Sequence, residues 1–226
     1  NALSANTTGT ENTAVGTDAL NATITGSYNT AVGRSALLLT TGDHNTAVGR
    51  IALRTNSSGA NNTALGSRSM YSNSSGDNNT AVGVNALDAN TTADNNTAVG
   101  YVALGANTTG ASNTGIGYNA LTLNVTGTKH TAVGAGALAA NTATEDNTAV
   151  GYEALNDNTS GAQNTAVGGF SLCKQTTGSW NTAIGYGSLD SQTTAAGSTA
   201  VGGNALTANT TGSENTAVGY QSLDAN

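Results

Sequence analysis

The tetrad Thr-Ala-Val-Gly, with close variants, returns thirteen times in this chain, opening at Thr13, Thr30, Thr46, Thr63, Thr80, Thr97, Thr114, Thr131, Thr148, Thr165, Thr182, Thr199 and Thr216. Every step is 17 residues except the 16 from Thr30 to Thr46. A period this strict marks an array of one short unit, and that constrains the fold before any propensity argument. Helical units that stack into arrays need roughly 30 residues or more, so 17 is too short for them. An array of near-identical units presents ladders of the same side chain. It rarely gathers several different catalytic groups in one pocket.

The unit reads position by position. Thr is invariant. Ala follows in every copy except at Gly115, and the third residue is Val, Ile or Leu, as in Val15, Ile116 and Leu65. The fourth is always glycine: Gly16, Gly33, Gly49, Gly66, Gly83, Gly100, Gly117, Gly134, Gly151, Gly168, Gly185, Gly202 and Gly219. Two variable residues precede Ala-Leu or a variant such as Ser69-Met70. A polar stretch of the type Asn-Thr-Thr-Gly follows, and the unit closes with Asn before the next Thr. Thr-Ala-Val is β-favouring and alternates. The invariant Gly predicts a turn that needs positive φ or a close backbone approach. Ala-Leu predicts a second extended stretch, and Asn-Thr-Thr-Gly is turn chemistry.

Two strands and two turns in 17 residues make one coil, so the expected fold class is all-β: a parallel β-solenoid (β-roll) of about thirteen coils, each about 4.8 Å above the last. No helix longer than a turn is expected. The whole of 1–226 reads as one repeat domain that begins and ends within a repeat, as a fragment of a longer protein or a processed subunit would. Thr and Val should face one side of the strand and Ala the other. The missing residue of the short step is placed in the polar loop Leu39–Gly42, so Val32, Leu37 and Val48 should keep their columns. Two amide columns are expected to hydrogen-bond along the axis. One is the Asn before each Thr, replaced by His130 and Ser198. The other runs through Asn56, Asn73, Asn90, Asn107, Asn124, Asn141, Asn158, Gln175, Gln192, Asn209 and Asn226.

Each coil carries few large apolar side chains, and small cores are marginal. The Ala column (Ala81, Ala98, Ala132, Ala149, Ala166) or the Leu column beside it is therefore expected to face another chain. A homotrimer is the expected state.

Composition narrows the function further. A net charge of -7 with six Lys and Arg residues excludes the clustered basic surface that nucleic acid needs. No stretch approaches the ~20 apolar residues of a membrane helix. The lone Cys173 excludes an internal disulfide. His44 and His130 lie in turns with no recurring carboxylate or nucleophile beside them, so no catalytic residues are assigned. Asp77-Asn78-Asn79 and Asp94-Asn95-Asn96 repeat in successive turns, but ordinary turn chemistry explains them, and neither metal nor cofactor is expected. Tyr101, Tyr118, Tyr152, Tyr186 and Tyr220 share the position after the invariant Gly and form a candidate surface binding row. Asn-x-Thr/Ser sequences occur at Asn6, Asn21, Asn56, Asn61, Asn73, Asn78, Asn90, Asn95, Asn107, Asn124, Asn158 and Asn209.

The nonamer Asn-Thr-Ala-Val-Gly-x-x-Ala-Leu resembles the head repeat of trimeric autotransporter adhesins. It also resembles the Asn-Thr-Ala-Val-Gly-Tyr-x-Ala-Leu arrays of viral and bacterial tail-fibre-type proteins, to which Asn95–Leu104 and Asn215–Leu223 come close. The resemblance implies a left-handed β-roll, three-fold association and surface attachment. The adhesin head period is shorter than 17. The expected role is thus a structural or adhesive segment of an extracellular fibre, on a cell surface or virion, meeting an unknown receptor or glycan. The alternatives are a subunit of a self-assembling extracellular filament and an ice-binding solenoid. The last is disfavoured because Val, not Thr, alternates with the invariant Thr.

Overall fold

The computed structural model describes residues 1–224. The chain divides into two compact units, Asn1–Ser112 and Asn113–Asn226. The first contains β1 (Thr13–Val15), β2 (Thr30–Val32), β3 (Thr46–Val48), β4 (Thr63–Leu65), β5 (Thr80–Val82) and β6 (Thr97–Val99). The second contains β7 (Thr114–Ile116), β8 (Thr131–Val133), β9 (Thr148–Val150), β10 (Thr165–Val167), β11 (Thr182–Ile184), β12 (Thr199–Val201) and β13 (Thr216–Val218). Within each unit the strands lie in chain order in a parallel sheet, and the fold is the all-β parallel β-solenoid expected. Register is strict: Thr13 pairs with Thr30, Ala14 with Ala31 and Val15 with Val32, and the same holds at Thr165, Ala166 and Val167 against Thr182, Ala183 and Ile184. No helix among the described residues is long and apolar enough to cross a membrane.

The second strand expected at Ala-Leu is absent. The Leu of that pair is left-handed in every coil, with φ of 50° at Leu20, 47° at Leu37 and 54° at Leu121. The residue two before it is left-handed as well, as at Asp18 (58°), Asn85 (57°) and Glu153 (52°). Alternating signs of φ curl the backbone round a corner instead of extending it. The inter-coil ladder nonetheless continues, with Leu20 N–H donating to Ala36 O at 3.1 Å and Leu53 N–H to Ser69 O at 2.9 Å. A left-handed L-residue costs about 1–2 kcal/mol. Burying a Leu side chain is worth about 1.5–3 kcal/mol, and the leucines from Leu20 to Leu206 are fully buried. Two such residues per corner cost about 2–4 kcal/mol, which Leu burial and the ladder hydrogen bonds offset.

The core also differs from expectation. Thr and Val of each strand do face outward and Ala inward, but the Ala column does not await another chain: Ala81, Ala98, Ala132, Ala149 and Ala166 are fully buried within the chain itself, as is the Leu column from Leu20 to Leu206. Amides complete this interior. The Asn before each Thr accepts from the main chain of the next coil, as when Asn62 N–H donates to Asn45 Oδ1 at 3.0 Å, and its own amide donates to a loop carbonyl, Asn62 Nδ2 to Gly76 O at 2.8 Å. The second column bonds along the axis: Asn73 Nδ2 to Asn56 Oδ1 at 2.6 Å, Asn90 Nδ2 to Asn73 Oδ1 at 2.7 Å, and Asn209 Nδ2 to Gln192 Oε1 at 3.0 Å. Asn226 of this column lies outside the described residues. Hydrogen bonds among these buried amides offset the cost of desolvating them and let a narrow coil be filled with polar groups, although Gln175 Nε2 of the second column is buried without a partner among the described residues.

The short step behaves as expected. Val32 pairs with Val48, and Leu37 stays fully buried with its N–H on Ala52 O at 2.9 Å. The lost residue lies between Thr40 and Gly42. Elsewhere an Asn spans three residues to the loop Gly, as Asn56 Nδ2 does to Gly59 O at 2.7 Å. Here Thr40 spans two, accepting from Gly42 N–H at 3.0 Å. The shorter side chain fits the shorter loop.

Thr23 occupies the same column in a loop of ordinary length, and there its hydroxyl is buried without a hydrogen-bond partner. Its side chain is too short to reach across to Gly26. Thr23→Asn should restore the reach and link the column. We expect stabilisation of about 1–2 kcal/mol, read as a higher midpoint in denaturant unfolding. An unchanged or lower midpoint would show that the orphan hydroxyl carries no penalty.

Candidate functional site

The candidate surface is the corner that follows each invariant Gly, where the tyrosines stand. Glycine makes this corner possible in two ways. Its φ is +141° at both Gly117 and Gly134, and a Cβ built on Gly117 would lie 2.6 Å from the carbonyl carbon of Gly134. The two main chains touch, so the ring-bearing residue after each Gly is carried on a tightly packed corner.

The tyrosines do not form one uniform row. Tyr101 lies in the first unit and Tyr118, Tyr152, Tyr186 and Tyr220 in the second, all exposed. Tyr186 lies over Gly169 and Tyr220 over Gly203: a Cβ on either glycine would be 3.5 Å and 3.4 Å from the ring's Cδ2. Phe170 fills the space between Tyr152 and Tyr186, meeting both rings edge-on at 5.2 and 5.8 Å between centroids. That contact was not foreseen, although Phe170 is the chain's single Phe and stands one residue after the tyrosine position. Between Tyr118 and Tyr152 the intervening coil instead carries Ala135 and Gly136, and a cleft of about 210 Å³ opens there. Tyr118 (58 % exposed) and Tyr152 (53 %) wall it, with Asn119, Thr122, Glu153 and Asn156 also at its lining. Asn156 Nδ2 donates to Gly136 O at 2.8 Å. The neighbouring Glu153 carboxylate holds the Tyr152 phenol above its ordinary pKa.

The remaining polar candidates have structural work. Asp94 Oδ1 accepts from Asp77 N–H at 2.7 Å, and Asp77 Oδ1 from Ala60 N–H at 2.7 Å, so these carboxylates cap the main chain of the preceding coil. His44 stacks on Tyr28 at 4.7 Å. His130 is buried in the amide column. Burial pushes the Cys173 thiol up to about 11, helped by Asp190, Asp157 and Glu153, so it stays protonated and unreactive at neutral pH. Of the Asn-x-Thr/Ser sequences, Asn56, Asn73, Asn90, Asn107, Asn124, Asn158 and Asn209 are buried, Asn6 and Asn21 are half-buried, and Asn61, Asn78 and Asn95 are exposed. Only the exposed ones could accept a glycan on the folded chain.

A second exposed feature is the sheet face of each unit. Val15 (57 % exposed), Leu65 (47 %) and Ile184 (41 %) stand in the column two residues after the invariant Thr. An apolar column repeated on a sheet face is a contiguous patch of the kind that marks an interface.

No family model, curated protein or solved structure matches this chain.

Proposed function

We propose that this chain is a structural and adhesive segment of an extracellular fibre, on a cell surface or virion, in which three copies associate through the Thr–Val face of their sheets. The observation that carries this reading is the outward-facing Val/Ile/Leu column, exposed at Val15, Val32, Leu65, Ile116, Val167, Ile184 and Val218 and half-buried at its other members, which remains after Ala and most of Leu have been buried inside the coils. Adjacent copies of the column stand about 4.8 Å apart, so repetition along a sheet gives a long, narrow apolar strip. Three such strips close on one axis, and closed symmetry avoids open-ended association. The resemblance to adhesin heads and tail-fibre arrays supports the same assignment.

The test is the mass in solution by light scattering. We expect a trimer for the parent and a folded monomer for Leu65→Glu/Ile184→Glu, because a carboxylate on an exposed strip blocks assembly while leaving the interior alone. A parent that is a stable monomer would overturn three-fold association. A mass that grows with concentration without limit would favour the end-to-end filament.

The ice-binding reading draws on one observation, the regular Thr and Val columns on that same face. It requires a monomer whose solutions show thermal hysteresis, lost on Thr→Glu substitution within the strands.

A further inference from the structure

The cleft between Tyr118 and Tyr152 opens at an interval of the second unit's tyrosine series where, among the described residues, no aromatic side chain stands between the two rings. Tyr186 and Tyr220 each cover a glycine, and Phe170 plugs the next interval. At the open interval, Ala135 occupies the position that carries Tyr in both flanking coils, and the floor is completed by Gly136. The two tyrosine positions are two coils apart, about 9.6 Å. That spacing admits one ring between the walls, and the volume is below the roughly 300–1,000 Å³ of sites for drug-sized ligands.

Chemistry narrows the ligand. Two aromatic walls and an Ala–Gly floor suit the apolar C–H face of a ring, and aromatic side chains offer large, rigid contact area. The polar groups at the lining are mixed. Asn119 provides an amide with both donor and acceptor and has no side-chain partner among the described residues. Asn156 is pinned through its nitrogen, leaving its carbonyl oxygen as an acceptor. Thr122 supplies a hydroxyl and Glu153 a carboxylate. Donors and acceptors around an apolar slot match a ring bearing several hydroxyls. No Lys or Arg lines the cleft, and the carboxylate disfavours phosphate, sulfate or uronate. We propose that this cleft binds the terminal pyranose ring of a neutral saccharide. This deepens the adhesive reading above by giving the surface a ligand class, and it rests on that reading only for its biological use.

The test is a ligand-observed and protein-observed NMR titration of the whole chain with the methyl glycosides of glucose, galactose, mannose and N-acetylglucosamine. We expect at least one to bind with a dissociation constant on the order of millimolar, as suits a small open site. Tyr152→Ala should weaken it by roughly tenfold or more through loss of one wall. Ala135→Tyr should abolish it by filling the slot. The fold tolerates Tyr at that position, since Tyr118 and Tyr152 occupy it in the neighbouring coils. Tyr220→Ala, which removes a ring lying over Gly203, should leave binding unchanged. The proposal is overturned if no glycoside binds, if Ala135→Tyr binds as the parent does, or if tetramethylammonium binds while the glycosides do not. That last result would assign the tyrosines and Glu153 to an organic cation. None of these outcomes depends on the oligomeric mass, so failure here and failure of the trimer are separable.

Discussion

Gly134→Ala is expected to destabilise the second unit by about 4 kcal/mol or more, while Gly219→Ala costs only about 1–3 kcal/mol. Both glycines have positive φ, +141° and +126°, in a region that L-residues with a side chain rarely enter. That strain is common to the two sites. The difference lies above them. A Cβ on Gly134 would strike the main-chain carbonyl of Gly151, its carbon 2.6 Å away, and this neighbour is backbone that cannot rotate aside. Among the described residues, a Cβ on Gly219 meets nothing nearer than Ser222 Cβ at 3.9 Å. Chemical denaturation followed by circular dichroism should therefore separate the variants clearly, with Gly117→Ala behaving like Gly134→Ala because Gly134 C and Ala135 N lie 2.6 and 3.0 Å from its built Cβ. Against a total stability of about 5–15 kcal/mol for a domain, the interior change is a large fraction. If Gly134→Ala and Gly219→Ala lose the same stability, close stacking of the coils is not what keeps this position glycine.

This pair of reasons shows what was legible in the repeat. Strict recurrence predicted columns, and the Thr, Ala, Val and amide columns all exist with residue-on-residue register. The short step was legible because only a loop deletion preserves strand faces, and Thr40 shows how the loop was closed. Two features were misread. Ala-Leu reads as extended because apolar, β-compatible residues with no glycine between them rarely predict a left-handed backbone. The signal was one position away: Asp18, Asn85, Asn119, Gly136, Gly187 and Asn204 occupy the position two before Leu, and these are the residue types that accept positive φ. Val102, at φ 56° in the same column, pays more for the same conformation because it is β-branched. The sequence points the Ala column toward a partner because apolar side chains alone make an interior too thin to need both Ala and Leu. Counting only apolar side chains hid the contribution of the amides, whose ladders turn Asn into core residues. The cleft could not be read from spacing. It opens where Ala135 and Gly136 stand between two exposed tyrosines, whereas Phe170 fills the following interval.

Lowering the pH from 7 to 4 should cost the second unit roughly 3 kcal/mol through His130 alone. His130 replaces Asn in the buried amide column and does the same work with a ring. Its Nδ1 accepts from Asn147 N–H at 3.2 Å, so the proton of the neutral ring sits on Nε2, which donates to Thr144 O at 2.9 Å. The Asn141 amide, 3.0 Å from that nitrogen, donates to Asn124 Oδ1 at 2.9 Å. A second ring proton would have to occupy Nδ1 and face the Asn147 N–H. Burial lowers the ring's pKa to about 4, overcoming the opposing pull of the Thr144 and Asn147 main chain and of Asp146 and Glu145. In the unfolded chain the ring titrates near 6.5. Above that value both states are neutral and the full contribution is present. As pH falls below it, the unfolded chain takes up a proton that the folded chain refuses, and stability drains away until about pH 4. Carboxylates titrate at the lower end of the same window, so the measurement is a difference. His130→Asn restores the residue type found at this position in eleven of the thirteen copies, and it should flatten the profile between pH 6.5 and 4 while leaving stability at pH 7 within about 1 kcal/mol of the parent. Parallel unfolding curves for the two proteins across that range would mean that the buried ring is protonated at no cost, and that the Asn147 N–H finds another acceptor.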